Sequence, residues 1–384
     1  MKPQVIIGLS GGVDSAVAAW LLKNQGYRVS ALFMRNWKDT TGLLSGACSY
    51  EDDVTFARMA AGKIGIPFHE VDLSDEYRLR VVDYLFREYQ AGRTPNPDVL
   101  CNREIKFDAF VREARKLGAD FVATGHYCRR ESFESHGGMV HRLLAGIDAN
   151  KDQSYFLCQL SQQQLSLALF PLGNLTKPEV REIARREQLA NADRKDSQGI
   201  CFVGKVDLPT FLQQQLEAKT GDVIEIPKEG IYEQDPDAER PVITPEMGKK
   251  AGEHQGAHFY TIGQRKGLNI GGKPEPLFVL GTDVERNIVY VGQGHDHPLL
   301  SRGSLSIRAE EIHWIRPDLI MKEGETRKQL VRIRYRQELV PATLELRDSG
   351  MIIRFDEPQR AVVPGQFAAW YDGDEVIGSG VIHN

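Results

Sequence analysis

The stretch Ser10-Gly11-Gly12-Val13-Asp14-Ser15 lies between an apolar run, Val5 to Leu9, and a helix-forming run that begins at Ala16. A glycine loop between strand and helix is a place for phosphate, because helix N-terminal N–H groups and the aligned peptide dipole favour an anion there. Gly11 and Gly12 allow close backbone approach, Ser10 and Ser15 offer hydroxyls, and Asp14 can cap the helix or help hold Mg²⁺. The lysine of G-x-x-x-x-G-K-[ST] is missing, and that lysine serves β/γ-phosphate transfer. A plain strand-to-helix turn is the bland alternative.

Two further stretches carry thiols. In AGRTPNPDVLCNREIKF (91–107), two prolines around Asn96 stiffen a loop and Asp98 stands three residues before Cys101. If the chain turns helical there, carboxylate and thiol share a face. A helix start with Arg103 close by should ease thiolate formation. In RKDSQGICFVG (194–204), Cys201 follows a charged, glycine-containing loop. A buried, inert cysteine is the ordinary reading of either one. The remaining cysteines are Cys48, Cys128 and Cys158, and no two of the five form C-x-x-C, which excludes a zinc ribbon or a thioredoxin-like motif.

Residues so far apart need a scaffold. Apolar strands at VIIGL, VSALFMRN, PFHEVDL and ADFVATGH alternate with helical runs at 52–64, 75–90 and 107–117. That order predicts an α/β domain with a parallel sheet covered on both faces and a ligand at the C-terminal strand ends. The glycine loop, the segment after Phe33-Met34 and Thr124-Gly125-His126 should converge there. Beyond about residue 200 the texture changes to short strands with Gly and Pro turns. We expect an α/β domain over 1–205, a small β-rich domain over 206–298 and a C-terminal β-barrel over 299–384.

Together SGGVDS, GRTPNPDVLCN, TGHY, NKDQSYFL, KDSQGICF, GQRKGL, RYRQ and PGQ resemble, in order and over nearly the whole chain, the tRNA-specific 2-thiouridylases of the ATP pyrophosphatase superfamily. The resemblance implies a parallel-sheet ATP pyrophosphatase domain and ATP-dependent 2-thiolation of the wobble uridine of tRNA, with ATP and Mg²⁺. By matching motif it implies Cys101 as nucleophile, Cys201 as persulfide carrier and Asp98 as acid/base. Gly8, Leu9, Ser10, Gly11, Gly12, Val13, Asp14, Ser15, Met34 and Gly125 would line the ATP site. Asn96, Pro97 and Asp98 would face the target base. His126, Lys151, Asp152, Gln153, Arg334, Tyr335 and Gln366 would touch tRNA. The implied partners are tRNAs for Lys, Glu and Gln and a persulfide-donating protein. ESFESHGGMV and YEQDPDAERPVITPEMGKK read as variable surface segments.

Charge permits this. A net charge of −5 argues against indiscriminate nucleic-acid binding but not against a local basic face. On one strand Arg332, Arg334 and Arg336 would share a face, and Lys177 to Arg194 reads as another basic helix. The pair His295 and His297 lacks a third ligand and reads as surface loop. No apolar run suits a bilayer, and Met1-Lys2-Pro3 leads straight into the first strand, so a cytoplasmic protein off the membrane is expected. Two other readings stay open. One is an adenylating synthetase that transfers nitrogen and needs neither cysteine; the other is a tRNA-binding protein that holds ATP without cleaving it.

Overall fold

The computed structural model describes residues 2–38, 50–135, 137–195, 207–229 and 241–383. Strand β1 (Gln4–Gly8) runs parallel to β2 (Arg28–Arg35), which pairs with β3 (Phe68–Asp72); on its other side β1 pairs with β4 (Phe121–Ala123). Hence Val5, Ile6 and Ile7, having neighbours on both sides and helices on both faces, are fully buried, as a continuous apolar run requires. Alternation along β1 divides the core. Val5 and Ile7 pack with helix α1 (Val13–Asn24) and helix α2 (Tyr50–Ile64), whereas Ile6 packs with Tyr77, Phe86, Leu100 and Phe110. The sequence order of strands reverses between β1 and β4, and Leu9 to Gly12 and Thr124 to His126 leave from their C-terminal ends.

A hairpin follows that the sequence pattern hid. Strands β5 (Cys128–Ser135) and β6 (Gly138–Ala145) pair with each other, and β6 then pairs with the chain's last strand, Glu375–Val381. Two strands of the N-terminal region therefore complete the C-terminal sheet, which counts nine strands among the described residues. Of the surface segment ESFESHGGMV, Glu131 to Ser135 and Gly138 to Val140 form the outer part of this hairpin, most of them exposed. A short fifth parallel strand, β7 (Ala168–Leu169), joins β4.

In the middle of the chain, Gly221–Glu225, Lys249–His254, Leu277–Asp283 and Ile288–Gln293 form a four-stranded sheet. His297 corrects the surface-loop reading: it is fully buried, and its imidazole Nδ1 accepts the Leu299 N–H. The arginine row is also corrected. The strand Thr326–Arg332 stops at Arg332, and Arg336 takes φ +63°, so the three guanidiniums do not share a face. Arg332 is turned inward onto Asp152, while Arg334 donates to the Arg360 carbonyl.

Candidate active site

The glycine loop is shaped by hydroxyls and held from outside. Ser15 Oγ accepts the Ser10 N–H at 3.1 Å and donates to the Gly12 carbonyl at 3.1 Å. Gly11 sits at φ +79°, where a Cβ would lie 2.3 Å from the Asp53 carbonyl oxygen. The Asn191 amide donates to the Gly11 and Gly12 carbonyls at 3.1 and 3.0 Å, and Arg194 to the Gly11 carbonyl at 3.1 Å. Arg194 also pairs with Asp53 at 2.6 Å, although burial outweighs that cation and raises the Asp53 pKa. Arg181 donates to the Ala192 and Arg194 carbonyls. Much of the basic run 177–194 thus braces the loop from behind.

Asp14 caps nothing: α1 starts at Gly12 without a side-chain cap. Its carboxylate instead receives Lys177 Nζ at 2.7 and 2.8 Å and the Tyr127 hydroxyl at 2.7 Å. Gly125 fits against this turn only because it lacks a side chain; a Cβ would stand 2.8 Å from Ser15 N. At Gly8 the surroundings are looser, with the Met34 Cε nearest at 3.5 Å from a built Cβ. Gly8, Leu9, Ser10, Gly11, Gly12, Val13, Asp14, Ser15, Met34 and Gly125 are therefore gathered at one end of the parallel sheet.

The proline-braced loop is where three parts of the chain meet. Asn96 caps the turn Pro97–Leu100, accepting the Val99 N–H at 3.3 Å with Pro97 at the first helical position. The turn runs straight on into Cys101–Ala109, so Asp98 and Cys101 fall one helical turn apart, as their spacing predicts. From the middle of the chain, the Thr261 hydroxyl meets that of Thr94 at 3.0 Å. From the C-terminal sheet, Gln366 donates to the Thr94 and Pro95 carbonyls at 2.9 and 3.1 Å and accepts from Asn96 at 3.3 Å.

Cys101 is buried. Asn102, next to it, donates to the carbonyls of Asp98 and Phe156, while its own oxygen is buried without a partner. The Arg103 guanidinium donates to Glu104 and Gln159 at 2.7 and 2.8 Å. Cys128 and Cys158 are buried as well; burial pushes the first thiol well up and the second to about 12, which disfavours the thiolate in both. Cys201 and Cys48 lie outside the described residues.

The residues expected to touch tRNA divide. Tyr335 lies 4.3 Å, ring to ring, from Phe156, whose carbonyl holds Asn102, so it borders the cysteine loop. Arg334 and Gln366 come from the same C-terminal part. Lys151 is half-buried in a turn, its N–H on the Asp148 carbonyl. The Gln153 side chain accepts the Tyr127 N–H. His126 and Asp152 are buried. Thr124 Oγ1 lies 2.7 Å from His126 Nδ1, and burial, with Lys106 nearby, lowers the imidazole pKa well below its usual value. Asp152 is bonded to Ser154 and paired with Arg332 at 2.8 Å.

Asn36 escapes a reading by motif. It follows β2 by one residue, is buried, and has both amide atoms without a partner. Its place beside Met34, at a strand end where ligands bind, is the clue the sequence offered.

Residues 3–205 match the family model described as a tRNA methyl transferase HUP domain, 209–293 its PRC-barrel domain, and 304–382 the aminomethyltransferase beta-barrel domain. The tRNA-specific 2-thiouridylase MnmA of Flavobacterium johnsoniae is 55% identical, with 99% of each chain covered. MnmA of Bacillus subtilis is 46% identical over 99% of this chain and 94% of the relative. Among solved structures, a 4-thiouridine synthetase–RNA complex with bound ATP matches at TM-score 0.33 and 17% identity, covering 56% of this chain and 50% of that one. At such identity over its whole length, the chain belongs to the MnmA family of tRNA-specific 2-thiouridylases.

Proposed function

We propose that this chain catalyses ATP-dependent 2-thiolation of the wobble uridine of tRNA, with the domain limits 1–205, 206–298 and 299–384. The observation that carries the reading is the loop Thr94–Cys101, tied at once to Thr261 and to Gln366. In an adenylating enzyme that needed no RNA, this loop would have no use for so tight a tie to the C-terminal sheet.

The uridine O2 attacks the α-phosphorus of ATP and pyrophosphate leaves with the bond's electron pair. Oxide, a poor leaving group, becomes AMP, a good one. The glycine loop and the start of α1 stabilise the charge that develops. The terminal sulfur of a Cys201 persulfide then displaces AMP, either directly, after which Cys101 attacks Cys201 Sγ and the S–S bond breaks with its electron pair on the thiouridine sulfur, or as hydrosulfide set free when Cys101 attacks Cys201 first. Either route leaves a Cys101–Cys201 disulfide that an external thiol reductant must reduce before the next turnover. Asp98 handles the ring proton. Asn96 and Pro97 border the base, which must leave the anticodon stack to reach the site. Lys151, Gln153, Arg334, Tyr335 and Gln366 hold tRNA, with His126 and Asp152 acting from within.

Mg²⁺ needs few protein ligands when it travels with a triphosphate, usually one or two carboxylates. Among the described residues no three His, Cys, Asp or Glu gather as a metal cage, and Asp14, the carboxylate of the loop, already receives Lys177 and Tyr127, so the ion would be held chiefly by the phosphates. The ion would shield phosphate charge. Among the described residues no helix is long and apolar enough to cross a membrane, and the cytoplasm is the proposed setting. The proposed partners are tRNAs for Lys, Glu and Gln and a persulfide-donating protein.

The test is thiolation itself. Incubated with ATP, Mg²⁺, a persulfide donor and unmodified tRNA, the protein should give tRNA retarded on a mercury-affinity gel. Retardation that persists in Cys101→Ser or Cys201→Ser would sink the two-cysteine mechanism; none with any sulfur donor would sink the function.

A further inference from the structure

GQRKGL (263–268) carries two exposed cations, Arg265 and Lys266, on the turn that precedes the strand Leu277–Asp283. The turn is braced from within. The Gln264 side chain accepts the Thr261 N–H at 3.0 Å and donates to the Lys266 carbonyl at 2.9 Å. The Gly263 N–H donates to the Val279 carbonyl at 2.8 Å, and the Val279 N–H to the Gln264 carbonyl at 2.9 Å. Gly263 and Gly267 take φ +83° and +85°, which favour glycine, and Leu268 is buried. Lys228, Lys250, Lys273 and Arg286, from the same part of the chain, each pair with a carboxylate. Arg265 and Lys266 have no acidic partner among the described residues.

A solvated pair of cations on a turn is common; the place of this turn is what distinguishes it. Thr261 Oγ1 lies 3.0 Å from Thr94 Oγ1, at the start of the loop that leads to Asp98 and Cys101. A Cβ on Gly263 would stand 2.8 Å from the Ala361 Cβ, so the turn also meets the C-terminal sheet just past Arg360. The Arg360 guanidinium lies over the Phe278 ring, 4.6 Å from its centre. Arg334 donates to the Arg360 carbonyl at 2.8 Å, and partial burial, with the Arg360 charge close by, lowers its pKa. Neither arginine has an acidic partner among the described residues. Cations gathered from two parts of the chain without carboxylates between them repel one another, and a bound polyanion relieves the repulsion. A uridine turned out of its stack brings its own flanking phosphates to the same place.

We propose that Arg265 and Lys266 join Arg334 and Arg360 in a clamp on the sugar–phosphate backbone beside the target uridine. Such contacts position the strand and read no base. Because Thr261 ties the turn to Thr94, the held strand is set in register with the loop of Asp98 and Cys101. This rests on the tRNA reading above.

The test uses the full-length double variant Arg265→Ala/Lys266→Ala. Binding of unmodified tRNA and of its isolated anticodon stem-loop is followed by fluorescence anisotropy between roughly 50 and 200 mM KCl. Each neutralised phosphate adds about 0.7–0.9 to the slope of log affinity against log salt, so the slope should fall by about 1–2 for both RNAs. Affinity at the low-salt end should drop about fivefold or more, with ATP affinity within twofold by calorimetry. Arg265→Lys/Lys266→Arg keeps both charges and should keep the slope. Arg360→Ala, changed on the other side of the junction, should lower the slope by about one. An unchanged slope in both alanine variants would overturn the proposal. So would a loss seen with whole tRNA but not with the stem-loop, since the contact would then lie away from the target base. A loss that Arg265→Lys/Lys266→Arg shares in full would assign the effect to the turn's shape and overturn it as well. Wild-type protein that bound no tRNA would overturn the RNA reading itself.

Discussion

Asn96 donates its side-chain amide to Gln366 across 3.3 Å, joining residues 270 positions apart. Gln366 in turn donates to the carbonyls of Thr94 and Pro95, so one side chain closes three bonds onto the loop that carries Asp98 and Cys101. Removing it should loosen that loop at a cost of about 1–3 kcal/mol. Gln366→Ala should slow thiolation about tenfold or more while ATP binding stays within twofold. Single-turnover thiolation beside ATP titration checks this; an equal loss of both would place the defect elsewhere.

The glycines of the proposed nucleotide site are expected to differ. Gly125→Ala sets a methyl 2.8 Å from Ser15 N, and Gly11→Ala sets one 2.3 Å from the Asp53 carbonyl at φ +79°. Both should destabilise by about 1–3 kcal/mol and abolish ATP-dependent thiolation. Gly8→Ala meets nothing closer than 3.5 Å and should melt and turn over near wild type. Denaturant melts of the three variants decide it.

Three buried cysteines should separate by chemistry. Cys128→Ala and Cys158→Ala, whose thiols burial keeps protonated, should cost about 1–2 kcal/mol of stability yet still give mercury-retarded tRNA. Cys101→Ala should be at least as stable as these two and give none. Retardation by Cys101→Ala would remove it from the reaction.

Asp152 and Arg332 form an ion pair with side chains 5% and 12% exposed. Arg332→Met strands a buried carboxylate and should cost about 3–5 kcal/mol. The double variant with Asp152→Asn should recover a good part. A double-mutant cycle by urea denaturation measures the coupling, and a coupling near zero would mean water already screens the pair.

His126 gives a pH dependence of known sign. Its folded pKa is lowered by burial, so the unfolded chain takes up its proton first as pH falls. The neutral ring's contribution is intact above the unfolded value near 6.5 and is lost progressively below it. Wild type should therefore lose stability from about pH 6.5 downward more steeply than His126→Gln, by up to about 1.4 kcal/mol per pH unit for one proton. Urea melts between pH 5 and 7.5 compare the slopes; parallel slopes would contradict it.

The parallel sheet was legible because β1 and β2 are buried on both faces and must be apolar throughout. The Asp98–Cys101 face was legible because three residues along a helix is a local distance. The β5–β6 hairpin was not. Its residues alternate weakly, Arg129 to Ser135 being mostly polar, and its partner strand comes at the far end of the chain. Arg332, Arg334 and Arg336 misled because a strand pattern says nothing of where the strand stops: this one stops at Arg332, and the chain turns before the positive φ of Arg336. Lys177 was hidden in a charge run, since only the fold brings it 2.7 Å from Asp14.

The shared sheet has a consequence for the order in which the protein can be made. Arg142 on β6 and Glu375 on the last strand lie 233 positions apart. At roughly 5–20 residues per second, the edge of β6 emerges from the ribosome and waits on the order of ten to forty seconds before its partner exists. During that interval Leu143 and Leu144, buried in the finished molecule, border an open strand edge. The nascent chain is thus open to mispairing from the emergence of β6 until Glu375–Val381 is made.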